Sequence, residues 1–308
     1  MDSRIQTFKA DTLDEVIRYA LQVGKTGKDN ILYFRGENKD FKATALVPGI
    51  YRNGLIRSEH LIYREMQRFN DHEFTTDKTA FDKLARMQHY TTPTRMIDVS
   101  EDILSGVYFA LDGKEAQAIS VLYLLEVDVK KIKYYDSDAV SILANLAKSP
   151  LDGNGDKSKE AIRKDVLPFL NDREGYNQAK LKSKEYLLHD ICEEKSYFKD
   201  VIEPDDIFSI LAVKPKLTSQ RIQSQKGAFL LYGLNLEDVK QAPQLLSEHA
   251  GHLQLSLDSR YHPLVRVTKI LLSPRITMQQ LNNLGVSKPY IYPELDRLSE
   301  YFKKYYQQ

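Results

Sequence analysis

The chain alternates between short apolar runs and longer segments whose apolar positions recur every three or four residues, the pattern of a mixed helix and strand protein. "TLDEVIRYALQV" (12–23) sets Leu13, Val16, Ile17, Ala20 and Leu21 on one helical face, with Asp11 or Thr12 as N-cap. "GKTGKDN" is a turn, and "ILYFRG" (31–36) reads as a buried strand closed by Gly36. "SEHLIYREMQRFN" (58–70) and "FDKLARMQHY" (81–90) are helical. Pro93 breaks the second of these, and a short strand follows over Arg95–Val99. "EDILSGVYFAL" restarts a helix, with Ser100 as cap and Glu101 and Asp102 where the helix dipole favours acids. "AISVLYLLEVD" (118–128) is the clearest strand.

The middle of the chain differs. "PLDGNGDKSKE" is a polar, turn-rich linker, and "EAIRKDVLPFL" and "AKLKSKEYLLHDICEEKSYF" read as charged helices. Strand character returns in "IFSILAVKP", "GAFLLYGLNL" and "LVRVTKILLSP". "ITMQQLNNLG" is a short helix ending on Gly285, and "PELDRLSEYFKKYY" closes the chain as a helix introduced by Pro293. The expectation is one α+β domain over 1–308. Its mixed or antiparallel β core, flanked by helices, spans 28–130 and 205–308, and a helical insertion fills about 145–204. Residues 150–200 should be mostly helix outside the sheet, most mobile around Asp152–Lys157.

Composition adds limits. Of 308 residues, 42% are hydrophobic and 28% charged, enough to bury a sizeable core. With 44 basic and 43 acidic residues, whole-chain charge gives no general attraction to nucleic acid or membrane. The single cysteine, Cys192, excludes a disulfide framework within the chain and points to a reducing, cytoplasmic setting. No apolar stretch reaches membrane-spanning length, and "MDSRIQTFKADTLDEV" has no signal core. Among seven histidines only "HAGH" (249–252) has helical pair spacing, and it lacks a third ligand nearby, so no metal is expected. There is no Walker loop and no Gly-x-Ser-x-Gly elbow.

An apolar strand that ends on an arginine needs a use for the guanidinium. "YFRGE" (33–37) and "MQHYTTPTRMIDVSEDILSGVYFAL" (87–111), with "RIQSQKGAFLLYG" (221–233) and "YPELDRL" (292–298), resemble in this order the FRG domain family. Val99 stands where that family usually has tryptophan. The resemblance covers about residues 28–125 and 205–305. Its motif order is similar to that of ADP-ribosyltransferase folds, which bind NAD. It implies Arg35, Ser100 and Gln225 in the catalytic positions, and Gly36, Glu37, His89, Tyr90, Arg95, Asp98, Tyr108 and Gln223 facing the ligand. NAD would be co-substrate, the acceptor a protein or nucleic acid, and the role that of a toxin or of anti-phage defence.

That chemistry asks for a guanidinium on the diphosphate, a ring to stack, and a carboxylate near the ribose. "QSQKG" offers Gln223 and Gln225 and no acid, and glutamine is no general base. Glu37 or Asp98 are then the candidate acids. The alternative is a non-catalytic sensor module that binds nucleotide, nucleic acid or peptide. Each residue also has a structural reading: Arg35 or Arg95 paired with Asp98, His89 a hydrogen-bonded core imidazole, Tyr108 a packing residue, Gly227 a bulge.

Overall fold

The computed structural model describes residues 5–24, 29–115, 118–150, 182–202, 204–207, 209–234 and 263–307. The fold is α+β. Among the described residues, eight strands form one mixed sheet in the order β1-β8-β4-β2-β3-β7-β6-β5. They are β1 (Ile5–Ala10), β2 (Asn30–Glu37), β3 (Met96–Ser100), β4 (Ser120–Asp128), β5 (Ile132–Tyr134), β6 (Ile210–Lys214), β7 (Gly227–Tyr232) and β8 (Leu264–Leu272). All neighbours are antiparallel except the two edge pairs, β1 with β8 and β5 with β6.

The helices are α1 (Leu13–Gly24), α2 (Glu59–Phe69), α3 (Asp71–Phe74), α4 (Ala80–His89), α5 (Ile103–Leu111), α6 (Asp138–Asn145), α7 (Lys182–Glu194), α8 (Pro204–Ile207), α9 (Gln220–Ser224), α10 (Met278–Asn283), α11 (Lys288–Ile291) and α12 (Leu295–Tyr306). None of the helices among the described residues is long and apolar enough to cross a membrane. Thr79 and Asp82 form a capping box on α4, fixing where that helix starts. Asp102, not Ser100, caps α5: its carboxylate accepts from Leu104 N and Ser105 N. Gly285, just past α10, takes the positive φ (+86°) of a helix stop.

β4 is buried along nearly its whole length, because β2 and β8 flank it and helices cover both faces. The period-two alternation of strands divides its side chains between two cores. Tyr33 with Val121, Tyr123 and Leu125 joins the larger core, which includes α4 and α6 residues. Phe34 with Leu122 and Leu124 joins the smaller one, with Val16, Ala20 and Val107 of α1 and α5.

Of the expected insertion, residues 151–181 lie outside the described residues, as does the region around Asp152–Lys157. The described part holds α7, whose Leu187 and Ile191 are buried in the larger core. No strand lies among described residues 182–198. The turn "GKTGKDN" is mostly outside the described residues, and the "HAGH" pair wholly so.

Candidate functional site

The sheet is interrupted in its middle. β2 and β3 are neighbours, yet only Phe34 and Ser100 pair between them. Beyond that pair the strands part, β3 staying with β7 and β2 with β4. A cavity of about 890 Å3 opens at the split, within the range of pockets that hold small ligands. Its walls come from the Arg35–Glu37 end of β2, Asp98–Ser100 of β3, Arg86 and His89 of α4, the α9 region with Arg221 and Gln225, and the Tyr292–Glu294 link between α11 and α12.

One group of lining residues brings together three charges. Arg35 reaches across the split: Nη1 donates to the main-chain oxygen of Asp98 (2.8 Å), and Nε lies 3.5 Å from Glu37 Oε1. That contact gives a partner to a carbonyl that strand pairing would otherwise have satisfied. Glu37 is 4% exposed; its Oε1 accepts from Leu46 N, while Oε2 is buried without a hydrogen bond. Arg52 donates to Val47 O and Thr44 O, and its guanidinium lies 5.3 Å from the Phe41 ring centre. Burial, with Arg35 nearby, holds the Arg52 pKa below its ordinary value. Glu37 is paired with Arg35, and its charge also acts on Arg52. Arg35 Nη2 and Arg52 Nη1 have no hydrogen-bond partner among the described residues, so this group favours an anion.

A second group of lining residues pairs an imidazole with a carboxylate. His89 Nε2 lies 3.5 Å from Glu294 Oε1. Among the described residues neither Glu294 oxygen is exposed to solvent or hydrogen-bonded. Burial and the Arg221 charge push the His89 pKa below 6.5, outweighing Glu294, which pulls it up. Arg221 donates to His89 O (3.2 Å) and lies over the Tyr292 ring at 4.9 Å. Tyr292 donates to Asp112 and packs edge-on against Phe109, both of which also line the cavity. Also in the lining, Arg86 is paired with Asp77 and Lys216 with Asp82.

Residues 30–118 match the family model of the FRG domain. This segment is similar to FRG domains. No curated protein and no solved structure gives a match.

The matched segment supplies β2, α2 to α5 and β3, hence Arg35, Glu37, Arg52, Arg86, His89 and Asp98. Lys216, Arg221, Gln225, Tyr292 and Glu294 reach the cavity from outside it. Of the residues expected at a ligand, Arg35, Gly36, Glu37, His89, Asp98, Ser100 and Gln225 line the cavity. Asp98 is exposed and accepts from Gln88 Nε2 (2.9 Å), so neither arginine pairs with its carboxylate.

Four expected residues belong elsewhere. Arg95 is 1% exposed: Nε and Nη2 form a two-pronged ion pair with Glu59 of α2, and Nη1 donates to Tyr232 O. It is part of the larger core and does not line the cavity. An Arg95–Asp98 pair does not form, because Arg95, just before β3, is taken up by Glu59 and Tyr232 O while Asp98 is exposed. Tyr108 is 2% exposed and sits in the smaller core, while its neighbour Phe109 reaches the cavity. Tyr90 points to solvent and donates to Glu73. Gln223 donates to Leu217 O on the surface and does not line the cavity.

Gln225 and Ser100 line the cavity but are occupied. The "QSQ" stretch is not strand: Gln220–Ser224 is a helical turn and Gln225 its C-cap. Gln225 Nε2 donates to Ile291 O (2.9 Å), and Ser100 Oγ lies 2.5 Å from Gln225 O while accepting from Asp102 N. Both therefore tie α9, α11 and β3 together. Gly36 also serves packing, because a methyl there would meet α5 backbone at 2.1 Å.

Sequence reasoning passed over Arg52, Arg221 and Glu294. Glu294 had a signal: it stands at an N-cap, where glutamate is not a favoured residue, and makes no cap bond.

Proposed function

We propose that this cavity binds NAD and that the protein is an ADP-ribosyltransferase-like or NAD glycohydrolase-like enzyme. The observation that carries this reading is the Arg35–Glu37–Arg52 group at the sheet split. Two guanidiniums and one carboxylate together carry net positive charge, and all three residues line a cavity of nucleotide size. A diphosphate is the ligand group whose charge and oxygen spacing suit such a pair. Tyr292 and Phe109, in the same lining, offer ring surface for a nicotinamide. The reading extends to a cytoplasmic protein that modifies a protein or nucleic-acid acceptor as a toxin or in anti-phage defence.

A second reading has its own support. Gln225 and Ser100 are held in structural hydrogen bonds, which favours a module that binds a nucleotide without cleaving it. Incubation with NAD labelled in the adenylate half separates the two. Calorimetric binding with release of free nicotinamide, or label on a macromolecule, supports the enzyme. Binding without either supports the module. No binding at millimolar NAD rejects both NAD readings.

A further inference from the structure

Glu294 is placed as a reacting group would be placed. Pro293 restricts the backbone before it, and Glu294 has the extended φ and ψ (−70°, 142°) of the residue that opens α12. A side chain at that position ordinarily bonds the helix's own free N–H groups, and this one does not. Glu294 instead lines the cavity beside His89, and among the described residues neither of its carboxylate oxygens has a hydrogen bond or exposed surface. A shielded carboxylate without donors is poorly solvated, so it gains most from a ligand that brings an O–H or a positive charge. The Arg35 and Arg52 guanidiniums line the same cavity, where they can hold the anionic half of a ligand whose reacting half meets Glu294.

Resting on the NAD reading above, we propose that Glu294 is the catalytic carboxylate of this site, taking the place that Gln225 cannot fill. The C1′–N bond of NAD breaks, and its electron pair goes to the nicotinamide ring, which leaves neutral. The ribose gains oxocarbenium character, which the Glu294 charge stabilises. A water or an acceptor hydroxyl forms the new O–C1′ bond, and its proton passes to Glu294. His89, held mostly neutral near pH 7 by burial, stands 3.5 Å away to receive that proton and pass it to solvent. With water the sum is NAD plus water giving ADP-ribose, nicotinamide and a proton, with no oxidant or reductant required.

The test uses the full chain and the variant Glu294→Gln, which keeps size and removes charge. Nicotinamide release is expected to fall by about 10²–10⁴-fold, the usual contribution of a general acid or base. The dissociation constant for NAD should stay within roughly threefold of wild type, because the diphosphate is held elsewhere. A variant that releases nicotinamide at the wild-type rate overturns the assignment and leaves the NAD reading standing. A wild type that binds NAD but releases no nicotinamide overturns the assignment together with the enzyme reading. A wild type that does not bind NAD removes the reading itself. Should Glu294→Gln fail to fold, Glu294→Asp decides. A folded aspartate variant slowed about tenfold or more at unchanged NAD affinity supports the role. One at wild-type rate overturns it.

Discussion

Gly36→Ala is the substitution whose cost can be worked most directly from the structure. The Cβ it adds would lie 2.1 Å from Gly106 O, 2.3 Å from Ala110 N and 2.8 Å from Phe109 C. All three are backbone atoms of α5, so no side chain can rotate out of the way. A carbon and an oxygen in close contact settle at about 3.3–3.6 Å, so α5 must retreat from β2 by about 1 Å. Overpacking a core costs about 1–3 kcal/mol when side chains can give, and a displaced helix backbone puts this change at about 3 kcal/mol or more. Gly227→Ala is the control: the nearest atom to its new methyl is Ile222 O at 3.6 Å, so a shift within about 1 kcal/mol is expected. Urea unfolding followed by far-UV circular dichroism or tyrosine fluorescence reads both, the chain having 19 tyrosines and no tryptophan. Gly106→Ala meets Phe34 and Leu122 across the same contact, at 2.8 and 2.9 Å. Once α5 has moved for one methyl it has room for the other, so the double variant should lose less than the two singles together. A Gly36→Ala protein with the wild-type urea midpoint and slope would refute this account of the motif glycine.

Three further outcomes are expected. Arg95→Leu strands the Glu59 carboxylate, 5% exposed, in the core and should lose about 3–5 kcal/mol in urea unfolding; removing the second charge as well should recover most of it. Arg35→Ala should weaken NAD binding roughly 30- to 150-fold by calorimetry, a loss of about 2–3 kcal/mol, and lower stability by about 1 kcal/mol because Asp98 O loses its donor. The His89 imidazole should titrate below 6.5 by NMR, still lower in Glu294→Gln and higher in Arg221→Gln, with Arg86 and Asp98 as its other charged neighbours. Because its folded value is depressed, its share of stability is present above pH 6.5 and is lost as pH falls towards the folded value, where the unfolded chain takes the proton first.

What the sequence showed followed from local pattern. β2, β4, α4 and α5 are visible because their burial period or caps lie within a dozen residues. β1 and β5 are not, since each is a short edge strand defined by a parallel partner, for β1 some 260 residues away. α7 reads as a charged helix, but only Leu187 and Ile191 against the core show that it packs there. At the site the failures have one cause. Closeness in sequence suggests Asp98 as the partner of Arg95, but tertiary packing buries Arg95 and supplies Glu59. The acid was sought where motif order would place it, between β6 and β7, and the cavity instead receives Glu294 from the start of the last helix.

Alternation also explains why the motif residues of β2 must be neighbours. Tyr33, Arg35 and Glu37 share one face of the strand, Phe34 and Gly36 the other. On the second face the glycine lets α5 lie against the strand, with Gly106 set on Phe34. That close contact fixes the height of α5, and the Asp102 cap and Ser100 fix where β3 leaves the pair at Phe34. On the first face Arg35 reaches over the opening so created and holds Asp98 O, while Glu37 binds Leu46 N and keeps the loop carrying Arg52 in place. The glycine therefore sets the split and the arginine spans it. Exchanging the two residues would put a guanidinium into α5 and leave the split without a donor. A one-residue slip of β2 would do the same, which is why an apolar strand ends on a cation here.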